Sequence, residues 1–413
     1  MKKTNYSIFD ILFYLSIFSM VTMNYSFLGK VLQLSFTIYA VIMVVLRTKK
    51  IHLFHILELL FAIYILFQCL FGIAAMPKGT LSNFVTVLYC SLYSLGIYNY
   101  LSYKNDFEEV LKKYANASMI GLVLLIILYF KSVLNFRLSA NTGINILGMV
   151  LFKSGSSTAL SMMAMSPAFF VTMFLYNDNL KKKKLYLVFF VIASFITGTR
   201  KTLIFIPLII IVYILKFNSV NLKRGKYIVG FSIIAVLGCV LLMKAPIFYK
   251  FVGYRVESAI ESFTSSDTDD SSIIVRRRLI KRAVELYKEK PILGWGMDYF
   301  KSSGQSDLGY YTHNNFLEIL SGGGIVGFII YYSKYVLLLS LLLKKKLRNK
   351  YDLITIRSCI VFLLLMVFIE YWQIVYIYRY IEIYLVMLLY IASSDEVINK
   401  KEKNADEKKE INT

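Results

Sequence analysis

The sequence predicts an all-α, polytopic membrane protein with about 12 transmembrane helices and a long extracytoplasmic loop before span 10. Three observations predict it. Hydrophobic residues make up 57% of the 413 residues and charged residues only 17%, too few to coat a soluble domain of this length. Apolar runs of roughly 17–25 residues, the length that crosses a bilayer core, recur along nearly the whole chain. Clusters of Lys and Arg punctuate every second connection between those runs.

Each apolar run must be helical, because lipid offers no partner to a free backbone N–H or C=O. The runs place spans at 7–23, 27–46, 51–75, 81–101, 115–134, 155–176, 185–197, 202–217, 227–243, 324–343, 353–376 and 377–393. The first, from Ile8 to Met23, lacks a small-residue cleavage site and leads directly into a second, so it reads as an uncleaved helix and not a secretory signal. The 32 Tyr and 31 Phe suit lipid-facing and interfacial positions. Three regions follow: a nine-span membrane part over 1–243, a loop over 244–312, and a C-terminal membrane part over 313–393. Residues 394–413 are charged and aperiodic, and are expected to be a disordered cytoplasmic tail.

A net charge of +22 would suit nucleic acid, but its placement excludes that partner. More than half of the basic residues fall in one alternating set of connections, which includes Arg47/Lys49/Lys50, Lys104/Lys112/Lys113, Lys181–Lys184 and Lys344–Lys346. By the positive-inside rule this set is cytoplasmic, which puts both termini inside and the 244–312 loop outside. The four cysteines stand singly in apolar segments without a CxxC pair, as small buried hydrophobes do.

The long loop is where chemistry is expected. After an acidic-polar stretch, Ser265 to Ser272, comes a run of helical period. Ile280, Ala283, Val284 and Tyr287, flanked by Leu279 and Leu286, form an apolar stripe, with Arg277, Arg278, Lys281, Arg282 and Lys288 interleaved. Such a helix would lie along the outer interface and stop before Pro291. His313, in YYTHNNFLEILSGGGIVG, stands just before a helix at the outer edge. An unperturbed imidazole titrates near roughly pH 6.5 and can accept a proton at neutral pH. His52 and His55, at i and i+3, lack a further metal ligand beyond Glu58 and read as interfacial.

Arg200, after Thr197-Gly198-Thr199, is either an interfacial anchor or an anion ligand, since a guanidinium grips phosphate oxygens in a fork. Arg276–Arg278 face the same choice between lipid headgroups and a bound anion, and Arg255 is a further candidate. Gly294 and Gly296 suggest a tight turn, and Gly322–Gly324 close packing or a break at the start of span 10. Glu58, Lys334, Glu370 and Glu382 lie inside spans. Glu370 and Glu382 are near Arg379, where pairing or cavity lining is expected, and Lys334 has no evident partner.

These motifs resemble the O-antigen polymerase and ligase superfamily. The resemblance rests on Arg276, Ala283 and Pro291 at the family's spacing, on Pro291, Gly294 and Gly296 as PxxGxG, and on His313, Asn314, Phe316, Leu317, Glu318, Gly324 and Gly327. Thr197, Gly198 and Arg200 match a further motif, whereas Arg277 and Arg278 are additions to the pattern. The resemblance implies a GT-C-like glycosyltransferase architecture with no bound metal, no cofactor and no nucleotide sugar. It implies a polyprenyl-pyrophosphate-linked oligosaccharide as donor, transferred outside the cytoplasmic membrane among membrane lipids. His313 would be the catalytic base; Arg200, Arg276 and Arg278 would bind pyrophosphate; Asn314, Glu318 and Arg255 would bind or orient substrate. A polysaccharide polymerase for capsule or exopolysaccharide, working beside flippase and chain-length regulator proteins, is the leading expectation. An O-antigen-type ligase and a lipid-linked oligosaccharide flippase or transporter are the alternatives.

Overall fold

The computed structural model describes residues 7–46, 51–134, 138–146, 148–174, 180–199, 202, 209, 271–304, 310–346 and 350–394. The expected spans 202–217 and 227–243, most of the 244–312 loop before residue 271, and the tail beyond 394 lie outside them.

Helices dominate the described residues. The first half holds α1 (Ile8–Met23), α2 (Phe27–Leu46), α3 (Leu53–Leu70), α4 (Pro77–Lys104), α5 (Phe107–Leu128), the short α6 (Phe130–Leu134), α7 (Ser157–Phe174) and α8 (Leu180–Ile196). The second half holds α9 (Ser271–Glu289), α10 (Tyr299–Ser302), α11 (Asn315–Lys344), α12 (Lys350–Ile369) and α13 (Arg379–Ser393). Among the described residues, α2, α3, α4, α5, α7 and α11 are long and apolar enough to cross a membrane, while α1 and the 353–369 part of α12 are shorter apolar helices. The fold is thus a mostly helical, multi-pass membrane protein. A small antiparallel hairpin, β1 (Ile144–Ile146) with β2 (Met149–Leu151), interrupts the connection before α7.

Side-chain burial follows this reading. One helix face is packed inward, as with Phe9, Phe13, Ile17 and Met20 of α1, while Ile38, Ile42, Ile63 and Val336 face outward. A water-soluble bundle would place polar groups there; lipid makes the apolar choice free of cost.

Hydrogen bonds between connections gather them at two opposite ends. At one end, Arg379 Nη2 donates to Asn24 Oδ1 at 2.9 Å, Tyr25 N–H to the Lys153 carbonyl at 2.8 Å, and Leu138 N–H to the Ile196 carbonyl at 3.2 Å. Asn315 and Glu370 meet at this same end. At the other end, Asp10 accepts from Tyr100 at 2.6 Å, Lys104 at 2.7 Å and Lys113 at 2.5 Å, and Lys345 donates to the Ser394 carbonyl at 2.8 Å. The basic connections that carry Lys104, Lys113 and Lys345 therefore lie at the end opposite His313.

Buried charges inside the bundle correct the sequence reading. Lys334 does have partners: its Nζ lies 3.2 Å from Glu58 and 3.1 Å from Glu382. Glu382 is thus committed to Lys334, and Arg379 to Asn24 and the face of Tyr89, so Glu382 does not pair with Arg379 but lines a small cavity with Glu58 and Lys334, the second of the two expectations. His52 caps α3 through Nδ1, but His55 is fully buried beside Ser94 and Glu58, not interfacial. Helix α12 ends at Ile369, so Glu370 sits in the turn after it, outside the helix in which it was expected.

Candidate functional site

The site is built on a broken helix. Helix α11 leaves helical geometry at Gly324, with φ 62° and ψ −167°. Such a break frees backbone groups that lipid cannot satisfy. The segment 291–296 supplies their partners. Trp295 N–H donates to the Ser321 carbonyl at 3.0 Å, Gly296 N–H to Gly322 at 2.8 Å, and Pro291 and Ile292 accept from Ile325 at 2.8 Å and Val326 at 3.2 Å. From α3, the Tyr64 hydroxyl donates to the Gly323 carbonyl at 2.6 Å and Gln68 Nε2 to Gly322 at 2.9 Å. Only glycine permits this approach: a Cβ on Gly294 would stand 2.3 Å from the Gly322 carbonyl oxygen, and one on Gly324 would stand 2.2 Å from that of Ile292. The glycines thus form a backbone-to-backbone interlock, more than the tight turn the sequence suggested.

The interlock delivers two things to the same end of α11. The first is α9. Its buried stripe is Leu279, Ala283 and Leu286, with Val275 beside it, and it packs on Leu317, Phe300, Trp295 and Tyr299. The expected stripe was offset: Ile280, Val284 and Tyr287 are only half-buried. The helix rests on protein through the 275/279/283/286 face because those positions, at spacings of four and three, share one side at 3.6 residues per turn. Arg276 and Arg282 flank that face and are half-buried, whereas Arg277 and Arg278 are exposed.

The second is the turn at His313. Its backbone is left-handed, φ 55°, uncommon for a residue with a side chain. Thr312 staples the turn, its hydroxyl donating to the Asn314 carbonyl at 2.7 Å and accepting from Asn314 N–H at 3.2 Å. Glu318 reaches back to accept from Thr312 N–H at 3.0 Å. Asn314 caps α11, its Oδ1 accepting from Leu317 N–H at 3.1 Å. The His313 ring lies 5.9 Å from that of Tyr310 and is half-buried. Leu317, which receives α9, is one helical turn beyond His313, so the basic helix and the imidazole are brought to one place. Residues 185–332 match the O-antigen ligase family.

That match supports the O-antigen ligase/polymerase superfamily and runs from within α8 to the middle of α11, covering the His313 turn, α9 and the glycine interlock. No curated protein matches the chain.

Of the expected site residues, the structure brings His313, Asn314, Glu318 and Arg276 to one end of the bundle. Arg278 is on the same helix but exposed. Asn314 and Glu318 use their described bonds to cap α11 and to hold the Thr312–His313 turn. Arg200 and Arg255 lie outside the described residues. The turn before Arg200 is described: Gly198, at φ 60°, closes α8 with its N–H on the Phe195 carbonyl at 2.9 Å, at the same end as His313.

Four residues escaped the sequence reading. Asn315 Nδ2 donates to Glu370 at 2.8 Å and its Oδ1 accepts from Val375 N–H at 3.0 Å, tying the 370–376 turn to the start of α11. The repeated Asn in HNN was the available signal. Gln68, one polar residue in an apolar run, and Tyr64 satisfy the broken helix. Asp298 follows the glycine segment with φ 72° and is buried. Beside it, burial and the carboxylates of Asp298 and Glu318 push the Tyr311 phenol well above its ordinary range.

Proposed function

We propose that the protein is a polysaccharide polymerase at the outer face of the cytoplasmic membrane. It would transfer a polyprenyl-pyrophosphate-linked glycan onto a sugar hydroxyl of another lipid-linked repeat unit. The observation that carries this reading is the seating of α9 on Leu317, which sets a cationic helix beside the His313 turn. The O-antigen ligase match over the same residues supports it.

In this reading the acceptor hydroxyl oxygen attacks the anomeric carbon and its proton passes to the His313 imidazole. The bond from that carbon to the pyrophosphate oxygen breaks, and the electron pair leaves with the pyrophosphate. Arg276, on the flank of α9 next to the packed face, stabilises that developing charge, with Arg200 as a second cation from the α8 end. The basic end opposite His313 then faces the cytoplasm, with both termini.

Replacing His313 or Arg276 by Ala in cells that lack the wild-type gene tests the mechanism. Short chains at normal protein level are expected; long polymer in both variants would falsify it. A ligase reading is separated by incubating purified protein with one defined lipid-linked repeat, where a polymer ladder means polymerase. The buried Glu58–Lys334–Glu382 cluster and the break in α11 are the two features on the side of a flippase. Scrambling of lipid-linked sugar in vesicles that persists in His313→Ala would favour it.

A further inference from the structure

The polymerase reading accounts for the cations and the imidazole but leaves Asp298 unused. The chain just before this residue is held in place. Gly296 N–H is fixed to Gly322, and the Met297 carbonyl accepts from the Thr80 hydroxyl at 2.7 Å. The residue is 8% exposed. Oδ2 accepts from the Ser302 hydroxyl, while Oδ1 has no hydrogen-bond partner among the described residues. Gly79 opens the first turn of α4 against it: a Cβ there would stand 2.8 Å from Oδ2. A buried carboxylate oxygen left without a donor is costly, and such groups recur where a ligand supplies the missing bond.

The surroundings say which ligand. Tyr311, two residues before His313, feels both Asp298 and Glu318, so two carboxylates bear on this side of the site. Lys301 lies against Tyr311, its Nζ 3.4 Å from the phenol oxygen. A pyrophosphate would be repelled by the carboxylates, and the cations of α9 offer it a better seat. A neutral group rich in hydroxyls suits an acceptor oxygen of this kind, because O–H donors to a carboxylate make short, strong bonds.

We propose that Asp298 is an acceptor-binding residue: Oδ1 takes a hydrogen bond from a hydroxyl of the attacking sugar and holds that sugar beside the His313 turn. The proposal rests on the polymerase reading and divides the site by charge, with the donor pyrophosphate at α9 and the acceptor sugar at Asp298.

The test uses the full chain in lipid nanodiscs, with lipid-linked repeat unit extracted from the native host and with undecaprenyl pyrophosphate as a donor-side probe. Asp298→Asn keeps the size, tolerates the left-handed backbone and still accepts from Ser302. It is expected to lower polymer formation about 10- to 100-fold, the loss of one charged hydrogen bond, with undecaprenyl pyrophosphate binding unchanged within about twofold. Gly72→Ala, with open space around its Cβ position, is expected to polymerise like wild type. If Asp298→Asn fails to fold, Asp298→Gly, which suits the backbone better still, takes its place in the comparison. Wild-type rates in the Asp298 variant would overturn the proposal. So would an equal loss in Gly72→Ala, or a parallel loss of pyrophosphate binding in the Asp298 variant, either of which would make the effect a general one of structure. A wild-type protein that neither polymerises nor binds undecaprenyl pyrophosphate would instead remove the polymerase reading beneath it.

Discussion

Asn315 grips Glu370 twice. Its side-chain amide donates to the carboxylate at 2.8 Å, and its backbone N–H donates to the Glu370 carbonyl at 2.8 Å. The same Glu370 carboxylate accepts from Tyr332 at 2.6 Å and from Tyr335. The two parts of α11, on either side of Gly324, are thereby joined to the turn after α12.

Asn315→Ala removes the amide and leaves the buried N–H groups of Val375 and Tyr376 without their acceptor. Each unsatisfied group costs roughly 1–3 kcal/mol. A drop of several degrees in Tm in detergent is expected, with faster hydrogen exchange over residues 370–378. An unchanged exchange rate there would show that the clamp does not hold the turn.

Gly294→Ala and Gly72→Ala make a matched pair. Both residues have positive φ, 71° and 67°, but only at Gly294 does a Cβ meet backbone. Gly72→Ala should cost about 1–2 kcal/mol, the left-handed penalty alone, and leave the protein active. Gly294→Ala should cost more and abolish activity by prising the 291–296 segment off α11. Equal Tm values for the two variants would contradict the interlock.

Lys334→Met leaves Glu58 and Glu382 buried without their cation. Breaking a buried ion cluster from one side costs about 3–5 kcal/mol. The triple variant Glu58→Gln, Lys334→Met, Glu382→Gln should recover most of that loss, because no uncompensated charge remains. Thermal unfolding of the single and triple variants checks the order.

Arg276→Ala and Arg277→Ala should differ. Arg276 flanks the packed face of α9, whereas Arg277 is exposed. Polymer formation is expected to fall 100-fold or more in the first, as for loss of a transition-state contact of roughly 3 kcal/mol, and to stay within about twofold in the second. The reverse order would move the pyrophosphate away from the flank of α9.

Much of the fold was legible because membrane insertion is read from local composition. The apolar runs coincide with the described helices, and Asn314 before α11 and Pro291 after α9 sit where cap and stop were expected. Contacts made at a distance were not legible. Lys334 appeared unpartnered because Glu58 and Glu382 lie on other helices, and nothing in a one-dimensional pattern reports which faces meet. The α9 stripe was misplaced by about one position for a related reason: in an amphipathic helix with apolar residues on two neighbouring flanks, the partner surface decides which flank is buried.

By itself, the amino-acid sequence determined the membrane class, most helical elements and the order in which Arg276–Arg278, Gly294 and Gly296, His313 and Gly322–Gly324 follow one another. Hydropathy and helix-end chemistry act within a few residues, so they are written locally. Only the tertiary structure decided that the glycine motifs close on each other, that α9 rests on Leu317, and that Asp298 keeps an oxygen without a partner. Those outcomes depend on backbone atoms approaching across long stretches of chain, where steric fit and hydrogen-bond satisfaction in a water-poor interior select one arrangement.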